Sequence, residues 1–119
     1  MIKKVEEIRL KRVEEQIRSE IASLLLHGDI KDYRVDSFLS ITRVEMARDG
    51  SHARAFVSSF REGDMLDAGV AGLNHAAGFI QGAIGKHLRL RLTPRLVFLP
   101  DRGIREGFEM TEKIRSLFP

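Results

Sequence analysis

Hydrophobic positions recur at helical spacing through the first part of the chain. Between Val5 and about His27 the apolar residues fall three and four positions apart, and charged residues fill the other faces. The apolar stripe consists of Val13, Ile17, Ile21, Leu24 and Leu25. The pattern predicts a long amphipathic helix that ends near Gly28, because glycine suits the left-handed backbone at a helix C-terminus. A polar connector is predicted over residues 29–36.

The next two segments are rich in β-branched and apolar residues, which is typical of strands. They span residues 38–46 and 53–60, and the Asp49-Gly50 dipeptide marks a turn between them. We therefore expect an antiparallel hairpin. The apolar positions change parity between Ile41 and Val44, so the first strand is predicted either to contain a bulge or to be buried on both faces.

Helical spacing returns after the hairpin. Asp64 is predicted to cap a second helix with an apolar stripe at Leu66, Val70, Leu73 and Ala77. Gly78 is predicted to interrupt this helix, and a third helix then ends before Pro94. The third helix has its stripe at Ile80, Ile84 and Leu88. A last strand is predicted over residues 96–99, and the tail holds Phe108, Ile114 and Leu117, a pattern that allows a short terminal helix.

The order of elements is therefore helix, strand, strand, helix, kink, helix, strand. It predicts an α+β fold with a three-stranded sheet and helices packed on one face. This is the order of the type II KH domain, an RNA-binding module. We expect residues 1–119 to form one domain, with a core over about 5–100 and a tail over 101–119.

Composition narrows the possible functions. The chain has 119 residues, of which 43% are hydrophobic and 31% charged, and it has no cysteine. No disulfide framework or thiolate metal site is therefore possible, and a reducing, cytoplasmic location is expected. No apolar run approaches the length of a membrane span, and acidic residues at positions 6 and 7 interrupt any secretory signal.

Positive charge is concentrated in one segment. The chain has 20 basic and 17 acidic residues, yet no acidic residue occurs between Asp67 and Asp101. That gap contains Lys86, Arg89, Arg91 and Arg95. Surfaces that only maintain solubility mix both signs, whereas phosphate-binding surfaces concentrate cations, so the segment favours contact with RNA.

Four stretches resemble the ribosome-binding factor A family. Residues 12–21 resemble its opening helix, residues 49–58 its hairpin, residues 76–80 its helix break and residues 88–96 the entry to its last strand. The tail, with Gly103 and residues 108–110, matches less well. The resemblance implies a bacterial assembly factor that binds the small (30S) ribosomal subunit during late maturation of 16S rRNA and performs no chemistry. In that family an Ala-x-Gly kink replaces the GxxG loop, and the kink maps onto Ala76, Ala77 and Gly78.

The predicted RNA contacts centre on this kink and the basic segment that follows it. They are Asn74, His75, Ala76, Ala77, Gly78, Lys86, Arg89, Arg91 and Arg95. A literal GxxG occurs at residues 82–85, but a break there would leave too short a helix before Pro94, so we interpret it as helical. A second set of candidate contacts lies in the first helix and ranks lower, because alternating glutamates favour a solvated, salt-bridged face; its members are Arg9, Lys11, Arg12 and Arg18.

Other chemistry is not indicated. The four histidines form no HxxxH pair and no serine lies in a nucleophile elbow, so we expect no metal, no cofactor, no catalytic residue and no small-molecule substrate. The expected partners are the small ribosomal subunit and its 16S rRNA, and the expected state is a monomer. The alternatives are a KH-like protein-interaction module and a general nucleic-acid-binding protein without a role in ribosome assembly.

Overall fold

The helices and strands follow one another in the predicted order. The computed structural model describes residues 2–60 and 65–102. The elements are α1 (Ile2–Leu26), β1 (Leu39–Met46), β2 (His52–Ser59), α2 (Met65–His75), α3 (Ala77–His87) and β3 (Arg95–Pro100). The predicted cap at Asp64 and the predicted terminal helix lie outside the described residues.

Helix α1 ends where the glycine predicts. Gly28 has a φ of 66°, and its N–H donates to the Leu25 carbonyl oxygen at 3.2 Å. The next N–H, of Asp29, donates to the Leu24 carbonyl oxygen at 3.0 Å. These two bonds form the Schellman arrangement, which satisfies carbonyl groups that the end of a helix leaves open.

The sheet has the order β1-β2-β3, with β1 antiparallel and β3 parallel to the central strand. Two parallel strands need a crossover connection, and α2 and α3 provide it. The predicted bulge is confirmed, because the β1–β2 register shifts between Ile41 and Arg43. The shift keeps both Ile41 and Val44 buried on the core side, which explains the change of parity.

The core lies between the helices and one face of the sheet. Its most deeply buried side chains come from every layer and include Ile17, Ile21, Leu73, Ile80, Ile84 and Phe98. This is the type II KH-like arrangement that the element order predicts. On the other face of the sheet, the Arg43 guanidinium lies over the ring of Phe56, 3.9 Å from its centroid.

Two side chains from the helices cover the outer edge of β3. The Asn74 side chain donates to the Phe98 carbonyl oxygen at 2.9 Å and accepts from the Phe98 N–H at 2.8 Å. The Gln81 side chain accepts from the Leu96 N–H at 2.9 Å. A strand edge with open N–H and C=O groups invites pairing with other chains, so these bonds both fix α2 and α3 on β3 and protect its edge.

Candidate nucleic-acid interface

The break between α2 and α3 is a single residue, Ala76. Its backbone has φ −90° and ψ 7°, and its side chain makes no capping hydrogen bond at the start of α3. Hydrogen bonding continues across the break, because the Ala76 N–H donates to Gly72 and the Ile80 N–H donates to Ala76. The break therefore lies at the first residue of the kink predicted over Ala76, Ala77 and Gly78, and the prediction that Gly78 itself interrupts the helix is wrong by two residues. Gly78 lies in the first turn of α3. It is exposed to solvent, and a Cβ added there would meet no atom of the described residues within 4 Å.

The literal GxxG at residues 82–85 is helical, as interpreted from the sequence, because α3 runs without interruption from Ala77 to His87. A Cβ added at Gly82 would meet no atom within 4 Å. A Cβ added at Gly85 would come within 2.9 Å of Thr93 Oγ1. Gly85 is therefore needed for close packing against the connection that follows α3, whereas Gly82 has no packing partner among the described residues.

The polar residues before the break have partners within the protein. Both amide atoms of Asn74 bond to Phe98, so the structure gives Asn74 a role in fixing α2 on β3. Nδ1 of His75 lies 3.2 Å from Oδ2 of Asp32, in the connection between α1 and β1. Contact of either residue with RNA stays a prediction.

Asp32 is the centre of a polar network beside the break. The Arg34 guanidinium donates from Nε to Oδ1 at 3.0 Å and from Nη2 to Oδ2 at 2.9 Å, and the Arg34 backbone N–H donates to Oδ1 at 2.9 Å. The Asp32 side chain is only 6% exposed. These bonds from Arg34, with a smaller effect from His75, hold the pKa of Asp32 well below its ordinary value.

The predicted basic residues lie together where α3 finishes and β3 begins. Lys86 is in the last turn of α3, Arg89 and Arg91 are in the connection, and Arg95 is the first residue of β3. All four are exposed, and within residues 2–60 and 65–102 none of them forms a salt bridge.

Arg48, in the turn between β1 and β2, is a further cation that sequence reasoning missed. It lines a surface groove with Arg91 and with Arg9 and two glutamates of α1. The parallel register, which pairs His52 with Arg95, brings this turn to the start of β3. We call Arg48, Lys86, Arg89, Arg91 and Arg95 the basic end. The sequence alone does not place Arg48 near the other four cations, because the pairing of β2 with β3 brings its turn to them.

The break and the basic end are not one site. They lie at opposite ends of α3, whose 11 residues extend over about 16 Å. The sequence predicts that RNA contacts centre on the kink. The predicted cations instead lie at the other end of α3, in the connection to β3 and at the start of β3. The exposed face of α3 connects the two ends, and it carries Gly78, Phe79 and Gly82.

The segment between Asp67 and Asp101 contains no acidic residue, but the fold brings acidic residues from other elements into contact with it. The Glu20 carboxylate of α1 lies within hydrogen-bonding distance of Nδ1 of His87, and Asp32 contacts His75 in the same way. Both carboxylates come from elements distant in sequence. They meet the two histidines and not the four predicted cations, which keep their charge unpaired among the described residues. Glu6 and Glu7 of α1 line the groove beside Arg48 and Arg91 but, within the described part of the chain, form no salt bridge with the basic end, which keeps the positive charge that the sequence pattern indicates.

Two further observations concern other functions. Within the described residues, no three histidine, aspartate or glutamate side chains gather closely enough to hold a metal ion. None of the helices in that part of the chain has both the length and the hydropathy that a membrane span requires.

Comparison with known proteins identifies the family. The family model described as ribosome-binding factor A matches residues 9–114. The chain belongs to the ribosome-binding factor A family. Among curated relatives, ribosome-binding factor A of Treponema denticola is 46% identical over 111 residues, covering 93% of this chain and 84% of the relative. The Treponema pallidum protein of the same name is 44% identical over 116 residues, covering 98% and 92%.

Solved structures agree with this assignment to the ribosome-binding factor A family. The crystal structure of ribosome-binding factor A from Thermus thermophilus superimposes with a TM-score of 0.66 at 28% identity, covering 79% of this chain and 98% of that one. A homology model of the Thermus thermophilus factor, fitted into the cryo-EM map of a 30S complex with that factor, gives a TM-score of 0.61 at 28% identity and covers 77% and 94%.

Proposed function

We propose that this chain binds the small ribosomal subunit through its RNA and assists late maturation of 16S rRNA. It acts as a monomer in the cytoplasm, without a cofactor and without chemistry of its own. Membership of the ribosome-binding factor A family supports the ribosome as the target. The fitted 30S complex of the Thermus thermophilus relative supports the small subunit in particular.

The observation that carries the proposal is the set of exposed cations at the basic end. Lys86, Arg89, Arg91 and Arg95 are exposed and have no salt-bridge partner among residues 2–60 and 65–102. An RNA backbone would neutralise them and release its condensed counterions, which contributes a large share of affinity in such complexes. Arginine also binds phosphate through two parallel N–H donors.

The face of α3 offers a path for RNA between the basic end and the break. Gly78 and Gly82 are exposed there, and a Cβ at either position would meet no atom of the described residues within 4 Å. Glycine in a helix is destabilising by about 1 kcal/mol relative to alanine, so packing against the described residues does not account for these glycines. Close approach of an RNA backbone to the helix does account for them.

Charge reversal at the basic end tests the proposal. The variant Arg89→Glu with Arg91→Glu removes two phosphate contacts, and we expect affinity for purified 30S subunits to fall about 100-fold. The control, Lys11→Glu with Arg12→Glu, makes the same change in net charge on the exposed surface of α1, where glutamates alternate with the cations, and should lose much less affinity than the Arg89/Arg91 variant.

The outcomes separate the proposal from its rivals. If the Arg89/Arg91 variant folds, as judged by circular dichroism, and still binds 30S subunits with full affinity, the cations are incidental. A protein-interaction module would then explain the fold better. If both double variants lose binding equally, the effect is one of overall charge and the basic end is not the contact surface.

A further inference from the structure

Tyr33, in the connection between α1 and β1, presents an aromatic ring to solvent beside the end of α2. It is 94% exposed, more than any other large apolar or aromatic side chain in residues 5–60 and 65–102. It lies between Asp32 and Arg34, and Asp32 contacts His75 at the end of α2. An aromatic ring favours a partner that removes it from water, and the described part of the fold provides none beyond the neighbouring arginine.

The backbone that carries Tyr33 is held in place. Tyr33 and Arg34 are the central residues of a turn in which the Val35 N–H donates to the Asp32 carbonyl oxygen at 3.0 Å. The turn packs directly on α2, because a Cβ added at Gly72 would meet side-chain atoms of Asp32 and Arg34 at 3.0 Å. The exposed ring therefore projects from a fixed support, which lowers the entropy lost when a ligand binds to it.

One face of the ring is already paired with a cation. The guanidinium carbon of Arg34 lies over the Tyr33 ring, 5.6 Å from its centroid. Two hydrogen bonds to Asp32 fix the guanidinium in this position. The exposure of Tyr33 leaves the other face open, and a flat partner stacked there would complete a layered arrangement of cation, tyrosine and partner.

We propose that Tyr33 is a stacking site for an unpaired RNA base. Unpaired bases are the usual targets of exposed aromatic side chains in RNA-binding proteins, and every base offers a flat face. The site lies beside the end of α2, at the end of α3 opposite the basic end, and we expect one strand to contact both. This inference rests on the proposed function, because the base belongs to the RNA that the basic end binds.

The chain has one tyrosine and no tryptophan, so its tyrosine fluorescence reports on Tyr33 alone. We expect octa-adenylate and octa-uridylate to quench this fluorescence as they bind, because a stacked base deactivates the excited ring. An abasic oligomer of the same length, which keeps the phosphates, should bind the basic end without quenching. Free tyrosine amide at the same oligomer concentrations corrects for absorption by the bases.

Variants at position 33 provide the second readout. Tyr33→Ala should weaken binding of the octamers and of 30S subunits about 5- to 150-fold, the range for loss of one stacked base. Tyr33→Phe keeps the ring and should bind within about twofold of the unchanged protein. The control is Phe60→Ala, which removes another ring that is 80% exposed, and it should leave both affinities unchanged.

Three results would overturn the stacking site. The first is full 30S affinity of Tyr33→Ala, which leaves the proposed function intact. The second is equal quenching by the abasic oligomer. The third is a loss of 30S binding in Tyr33→Ala without any loss of octamer binding, since the tyrosine would then contact a ribosomal protein. Failure of the unchanged protein to bind 30S subunits would instead contradict the proposed function itself.

Discussion

Gly82 lies in the middle of α3, and replacing it with alanine should stabilise the protein. An added Cβ at this position meets no atom of the described residues within 4 Å, and Gly82 does not have a positive φ. The change therefore brings only the gain in helix propensity, which is about 1 kcal/mol. For a chain of this size that gain corresponds to a rise in Tm of roughly 4 °C.

Gly85→Ala is the matched control, because it makes the same chemical change three residues later in the same helix. Here the new Cβ would meet Thr93 Oγ1 at 2.9 Å. Thr93 is β-branched and directly precedes Pro94, so relieving this contact requires an unfavourable rotamer or a backbone shift that costs about 1 kcal/mol. We expect Gly85→Ala to be neutral or destabilising.

Urea unfolding followed by circular dichroism measures both variants, and 30S binding adds a second comparison. Under the proposed function, Gly82→Ala should be more stable and yet bind 30S subunits more weakly, because its methyl group occupies the path of the RNA backbone. A Gly82→Ala variant that is destabilised by more than about 0.5 kcal/mol would refute the reasoning, since residues 82–85 would then not be ordinary helix.

Two further predictions concern contacts that fix the break. Asn74→Ala leaves the Phe98 N–H and carbonyl without their partners, and we expect a loss of about 1–3 kcal/mol in the free energy of unfolding measured in urea. Asp32 has a lowered pKa in the folded protein, so its contribution is complete above its ordinary value of 3.8 and is lost as pH falls below that value. The stability difference between the unchanged protein and Asp32→Asn should therefore be constant near neutral pH and narrow below about pH 4; a difference that does not narrow would contradict the network.

The order of elements could be predicted from the sequence because each depends on local patterns. Helical spacing indicated α1, Gly28 indicated its end, and the change of parity after Ile41 indicated the bulge. The position of the helix break could not be predicted to the residue. Ala76 has high helix propensity, so local propensity does not indicate that its backbone departs from the helix.

The sequence predicted which cations are exposed, but it did not predict where they lie relative to the helix break or which residues contact one another across the fold. The acid-free segment correctly indicated exposed cations at Lys86, Arg89, Arg91 and Arg95. The contacts of His75 with Asp32 and of His87 with Glu20 join residues 43 and 67 positions apart, and no local pattern contains them. Arg48 was missed as part of the basic end for the same reason, because only the pairing of β2 with β3 brings its turn to the start of β3.

Co-sedimentation with purified ribosomal subunits at a series of salt concentrations tests the central claim most directly. The account predicts that the unchanged protein pellets with 30S and not with 50S subunits. Five cations at the basic end predict a log–log slope of affinity against salt of about −3.5 for single-stranded RNA. Recovery on 50S subunits alone, or an affinity for 30S subunits that does not change with salt, would contradict it.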